Sequence, residues 1–129
     1  MKIKLVRPPV IMSFPANIRM PYGMGVLTAA LRQGGVEVDQ DDLFVKVREH
    51  NKTAGPFSGK VINLGLMTFH KDLAGLAIET GLADARLAGL TEQIWALTPW
   101  AGYGVVGFSL HCISEFRFAL LLAEKLKAE

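Results

Sequence analysis

The run Tyr103 to Ser109, YGVVGFS, limits what this chain can fold into more than any other stretch. Its apolar residues fall on both faces of an extended segment, the pattern of an interior parallel strand covered by helices on each side. A capped apolar helix follows at once. Ser114 and Glu115 open it, Phe118, Leu121, Leu122 and Leu126 recur at helical spacing, and Lys125 and Lys127 complement its negative end. A strand, a turn and a helix in that order belong to an open α/β sheet in which every strand ends in a loop at one edge. That edge is where such sheets bind ligands.

Two further stretches outline the same sheet. Lys2 to Val6 alternates basic and apolar residues and stops at Pro8 and Pro9, which cannot continue a hydrogen-bond ladder. Ile11 to Met20 reads as a long loop. A helix begins near Pro21, runs through Met24, Leu27, Ala30 and Leu31, and stops at Gly34 and Gly35. The second strand is short: Val36 and Val38 alternate with Glu37 and Asp39 ahead of the acidic cluster Asp39, Asp41 and Asp42, and that alternation predicts an edge position. Leu43 to His50 fits either an extension of this strand or a turn of helix, and Asn51 to Gly59 reads as loop. Val61 to Thr80 reads as a buried helix because of its length, although Val61 to Met67 alone passes for a strand. The next helix is capped by Asp84, carries Leu87, Leu90, Ile94 and Leu97, and ends at Pro99, with Trp95 and Trp100 packed near its end.

This order predicts right-handed crossovers and spatial strand order 2-1-3. The expected fold is a flavodoxin-like (Rossmann-like) open parallel α/β sheet with a helical insertion before the third strand. It forms one domain over 1–129 that is truncated after the third strand and its helix.

Composition narrows the function. Half the residues are hydrophobic and mean hydropathy is +0.29, apolar enough to suggest surface that awaits a partner or a further segment. Net charge is only +2, with no basic cluster interleaved with aromatics, so nucleic acid is excluded as a main partner. Neither a signal peptide nor a membrane-spanning run is present in the sequence, and a cytoplasmic protein is expected. The single cysteine, Cys112, excludes an internal disulfide and a cluster held by this chain's thiolates alone.

Candidate site residues collect at the predicted strand ends. Gly23 and Gly25 permit close approach at the first helix start, whose free amides can receive a phosphate or amide oxygen; tight helix-to-sheet packing explains the same glycines equally well. Ser109 and His111 share one face beyond the third strand and Leu110 takes the other. A serine there also serves as a local backbone partner. Asp41 and Asp42 fit paired carboxylates, but acidic residues at a strand end are more often solvated or helix-capping. Cys112 points away from its neighbour His111 on an extended segment and reads as a small buried thiol rather than a nucleophile. No catalytic residue and no metal ligand is assigned.

The segments LVRPP, PYGMGVLTAALRQGGVEVDQDDL and YGVVGFSLHCISEFRFALLLAEKLK together resemble the amino-terminal cobalamin-binding domain of cobalamin-dependent radical S-adenosylmethionine enzymes. The likeness covers Lys2 to Val47 and Trp100 to Lys127. It implies cobalamin as cofactor, contacted by Arg7, Pro8, Pro9, Gly23, Gly25, Ser109, Leu110 and His111. Relatives that ligate cobalt through histidine carry Asp-x-His-x-x-Gly after the first strand, where this chain has no histidine; His50-Asn51 and His70-Lys71-Asp72 do not reproduce that motif. Cobalt without a protein histidine ligand is therefore implied. S-adenosylmethionine and the iron-sulfur cluster belong to a separate barrel, so this chain is expected to hold no cluster, to catalyse nothing alone and to bind cobalamin poorly by itself. Methyl transfer or a related radical reaction is implied for the whole enzyme. A ligand-free interaction or regulatory α/β domain is the alternative, and a nucleotide or flavin binder ranks behind it. The third strand, expected to end with unpaired amides along an apolar edge, predicts a homodimer through that edge or by exchange of the last helix.

Overall fold

The computed structural model describes residues 1–9, 22–55, 60, 62, 85–110 and 113–129. Its elements are β1 (Lys2–Arg7), α1 (Tyr22–Gln33), β2 (Glu37–Asp42), α2 (Leu43–Ala54), α3 (Ala85–Trp95), β3 (Val105–Phe108) and α4 (Ile113–Ala128). The strands form a parallel sheet in the order β2-β1-β3, the predicted arrangement.

The two faces of this sheet are packed differently. On one, Val6 meets Leu43 and Val47 of α2, Ile94 of α3, and Phe118 and Leu122 of α4, with Trp100 closing the group. On the other, among the described residues, Leu5 and Val38 pack against α1 through Met24 and Leu31. Helix α1 is also tied to β2 by polar bonds. Arg32 donates to the Val38 carbonyl at 2.7 Å, and the Gln40 amide donates to Met24 O and to the Thr28 hydroxyl.

β2 runs longer than its Val36 to Asp39 alternation suggests, continuing through Asp42. Acidic residues are poor strand formers, but here the neighbouring strand supplies the matching charges. Lys2 pairs with Glu37 at 3.1 Å and Asp39 at 2.9 Å, Lys4 with Asp41 at 2.6 Å, and Arg7 with Asp42 at 3.1 Å. A one-residue slip would turn Lys2 and Lys4 away from these carboxylates, so the charges fix the register.

Asn51 to Ala54 is helical, which corrects the expected loop over Asn51 to Gly59. Asp42 caps α2 by accepting from Phe44 N and Val45 N, and the helix stops at Gly55 with φ of 77°. Asn51 stays in the helix because its side-chain amide binds both backbone groups of Ile62, at 2.9 and 2.8 Å. Periodicity alone carries no sign of that tertiary bond. The rest of the Val61 to Thr80 segment, read as a buried helix, and the Asp84 cap lie outside the described residues.

Trp95 and Trp100 stack with centroids 4.5 Å apart, as their positions beside Pro99 predict. β3 is shorter than Gly104 to Leu110, and Val105 at its start is 44% exposed. No helix among the described residues is long and apolar enough to cross a membrane.

Candidate functional site

At the carboxyl edge, β1 passes into Pro8 and Pro9, β2 into the Asp42 cap, and β3 into Ser109, whose backbone N–H donates to Val6 O at 2.9 Å. Helix α1 starts above this edge. Between α1 and β3 lies a cleft of about 290 Å³, lined by Leu5, Gly23, Met24, Leu27, Gly107, Phe108 and Ser109. Gly107 forms its floor. A methyl group there would stand 3.0 Å from Leu5 Cδ2, so glycine lets Leu5 and the space above it coexist.

Gly23 and Gly25 are exposed, and a Cβ built on either meets no atom within 4 Å. Tight helix-to-sheet packing therefore does not explain them. At Gly23 the missing side chain leaves the cleft mouth open, because this residue lines it. Ser109 is half-buried at the rim and Leu110 is 40% exposed beyond it. Arg7, Pro8 and Pro9 lie lower, with their side chains buried, and Arg7 donates to Asp42 Oδ2. His111 lies outside the described residues. The edge thus brings Gly23, Ser109 and Leu110 to an accessible surface and sets Arg7, Pro8 and Pro9 beneath it.

The cleft lining holds one hydroxyl and no ionisable side chain, which suits binding of an apolar or flat group rather than proton transfer. Among the described residues no cluster of three or more His, Cys, Asp or Glu side chains could hold a metal ion. Leu5, Met24, Leu27, Gly107 and Phe108 were not singled out by their sequence context. Gly107 inside an apolar strand was the one available signal, since a strand glycine often marks a close approach.

A second constellation sits on the other face, under the segment that enters β3. Lys4 is fully buried, and its ammonium donates to Thr98 Oγ1 at 2.7 Å, to Pro99 O and to Asp41 Oδ2. All three protons of the ammonium are used. Thr98 in turn donates to Asp41, which also pairs with Lys46, and the Trp100 and Tyr103 rings lie 5.2 and 4.9 Å from Lys4 Nζ. Burial pushes the Asp41 carboxyl upward, but the bonds from Lys4, Lys46 and Thr98 outweigh it and hold the group below the usual carboxylate range. Tyr103 donates to Asp39 at 2.6 Å; that bond and Lys2 lower the Asp39 carboxyl, and the same bond raises the tyrosine. Lys2 is raised by Asp39 and Glu37. This network fastens the 98–103 segment to the sheet, with all three Lys4 ammonium protons committed.

No protein-family model, curated protein or solved structure matches the chain.

Proposed function

We propose that the chain is a cofactor-binding α/β domain that receives cobalamin at the carboxyl edge of its sheet and performs no catalysis by itself. The observation that carries this reading is the glycine-floored cleft at the end of β3, open beside Gly23. Its volume is at the lower end of small-molecule pockets, which run from ~300 Å³ upward, so it accepts one part of so large a ligand. The remainder would lie over the exposed Gly25 and Leu110. Here Leu5, Met24, Leu27 and Phe108 supply apolar contact, the amides at the start of α1 can receive a carbonyl or phosphate oxygen, and Ser109 offers a hydroxyl at the rim. Bound cobalamin would supply methyl-transfer or related chemistry, with S-adenosylmethionine cleavage and its iron-sulfur cluster residing in a separate domain.

Hydroxocobalamin titration, followed by absorbance and calorimetry, tests the reading. Weak, saturable binding is expected, reduced at least ~10-fold by Gly23→Leu, which fills the mouth of the cleft, and flavin mononucleotide and ATP should not compete. Absence of saturable binding would exclude cobalamin. The exposed Val26, Leu27 and Val105 favour a second reading, a ligand-free interaction domain. Binding of none of these three compounds would select it.

A further inference from the structure

Gln40 of β2, Leu5 of β1 and Gly107 of β3 stand in register, one residue from each strand in a single row across the sheet. Such neighbours project to the same face, here the one under α1, where Leu5 packs against Met24. The row is graded in height. A long amide side chain stands at one end and leucine in the middle, and at the other end there is none, since a Cβ on Gly107 would come within 3.0 Å of Leu5 Cδ2. A straight helix laid across this row cannot follow the fall. Held at the tall end, α1 leaves a space at the low end, and that space is the cleft, with Leu5 and Gly107 on the sheet side and Gly23, Met24 and Leu27 on the helix side.

The hold at the tall end is specific. The two amide protons of Gln40 go to Met24 O, at 3.2 Å, and to the hydroxyl of Thr28, a buried residue on the sheet-facing side of α1. Met24 and Thr28 are four residues apart, so one side chain grips one turn of the helix. The far end of α1 is held by other means: Arg32 donates to Val38 O, and the N–H groups of Gly34, Gly35 and Val36 bond back to carbonyls of the last turn.

We propose that Gln40 is a positioning residue that sets the height of the first half of α1 over Gly107, and with it the thickness of the group the cleft admits. This rests on the cleft as a binding site, whether or not cobalamin is its occupant. Gln40 does not line the cleft, so it acts on a ligand through Met24, whose carbonyl its amide holds and whose side chain forms part of the wall.

Paired spin labels on the full chain, in a Cys112→Ser background that leaves no other thiol, read the helix position. One pair joins Val26 to Ala101 and a control pair joins Gln33 to Ala101, all three being exposed positions. Gln40→Met keeps the side-chain length and loses both donors; it should shift or broaden the Val26 to Ala101 distance and leave the control pair unchanged. Thr28→Val should do the same to a smaller degree and add nothing to Gln40→Met, because the two act through one contact. Hydroxocobalamin binding should weaken about 5-fold in Gln40→Met, the equivalent of one neutral hydrogen bond. A Val26 to Ala101 distance that ignores Gln40→Met overturns the proposal. So does an equal change in the control pair, which would mean general loosening, or cobalamin binding of unchanged strength in a chain whose helix has moved. Should the parent chain bind no hydroxocobalamin, the cobalamin reading falls and the two distances alone decide the role of Gln40.

Discussion

The β1–β2 side of the sheet and the β3–α1 side are finished in different ways. Between β1 and β2 the charges interlock: Lys2, Lys4 and Arg7 meet Glu37, Asp39, Asp41 and Asp42, and Lys4 is sealed beneath Trp100. Between β3 and α1 there are glycines, exposed valines and an unfilled cleft. Buried charges contribute little net stability but strongly penalise a wrong register. The charged side therefore specifies how the sheet is assembled. That leaves the uncharged side free to carry weakly specified, open surface, which is what ligand or subunit contact requires.

The sharpest way to break this contrast is at Lys4. Lys4→Ala leaves Asp41 and Thr98 buried without their central partner and should cost about 3–5 kcal/mol in urea unfolding, a large part of a small domain's stability. A loss below about 1 kcal/mol would mean that the network is ornamental and the two sides are energetically alike. Acid should expose the same asymmetry with a smaller effect. The folded-state pKa of Asp41 is depressed, so its contribution is fully present above the unfolded value of 3.8 and is lost as pH falls through the folded value. Stability is accordingly expected to drop below about pH 4, and Asp41→Asn should flatten that limb of the curve of unfolding free energy against pH. On the open side the effect should be smallest and of opposite sign. Gly25→Ala adds a methyl group where no atom lies within 4 Å, and it should stabilise α1 by up to about 1 kcal/mol, measured by the urea midpoint. Destabilisation there would show that Gly25 is held in a packed environment after all.

The elements that could be read from sequence are those whose residues speak for themselves. The apolar run of β3, the glycine stop after α1, the proline stops after β1 and the spacing of Phe118 and Leu122 led to the observed elements and to strand order 2-1-3. The elements misjudged depend on distant partners. β2 extends through its acids because β1 neutralises them, and α2 extends through Asn51 because Ile62 occupies that side chain. Asp42 behaves as the cap that acidic residues at a strand end usually provide, whereas Asp41, two-sided in its contacts with Lys4 and Lys46, is neither cap nor solvated. At the candidate site, sequence identified Gly23, Ser109 and Leu110, which share the accessible edge, but gave no warning that Arg7, Pro8 and Pro9 lie below it. Exposure is a property of what packs against a residue, and a linear pattern records that only through periodicity.

Both tryptophans of the chain belong to the same stack, at an interplanar angle of 13°, and Trp100 Nε1 donates to the Trp95 carbonyl at 2.9 Å. Their electronic transitions are close enough to couple, so the pair should produce an exciton signature in circular dichroism and a shared emission band, with no other indole to obscure either. The optical spectrum of the protein is therefore a report on one place, the closure of the 98–103 segment over Lys4, and it can be followed in time while a ligand or a second copy engages the far side of the sheet.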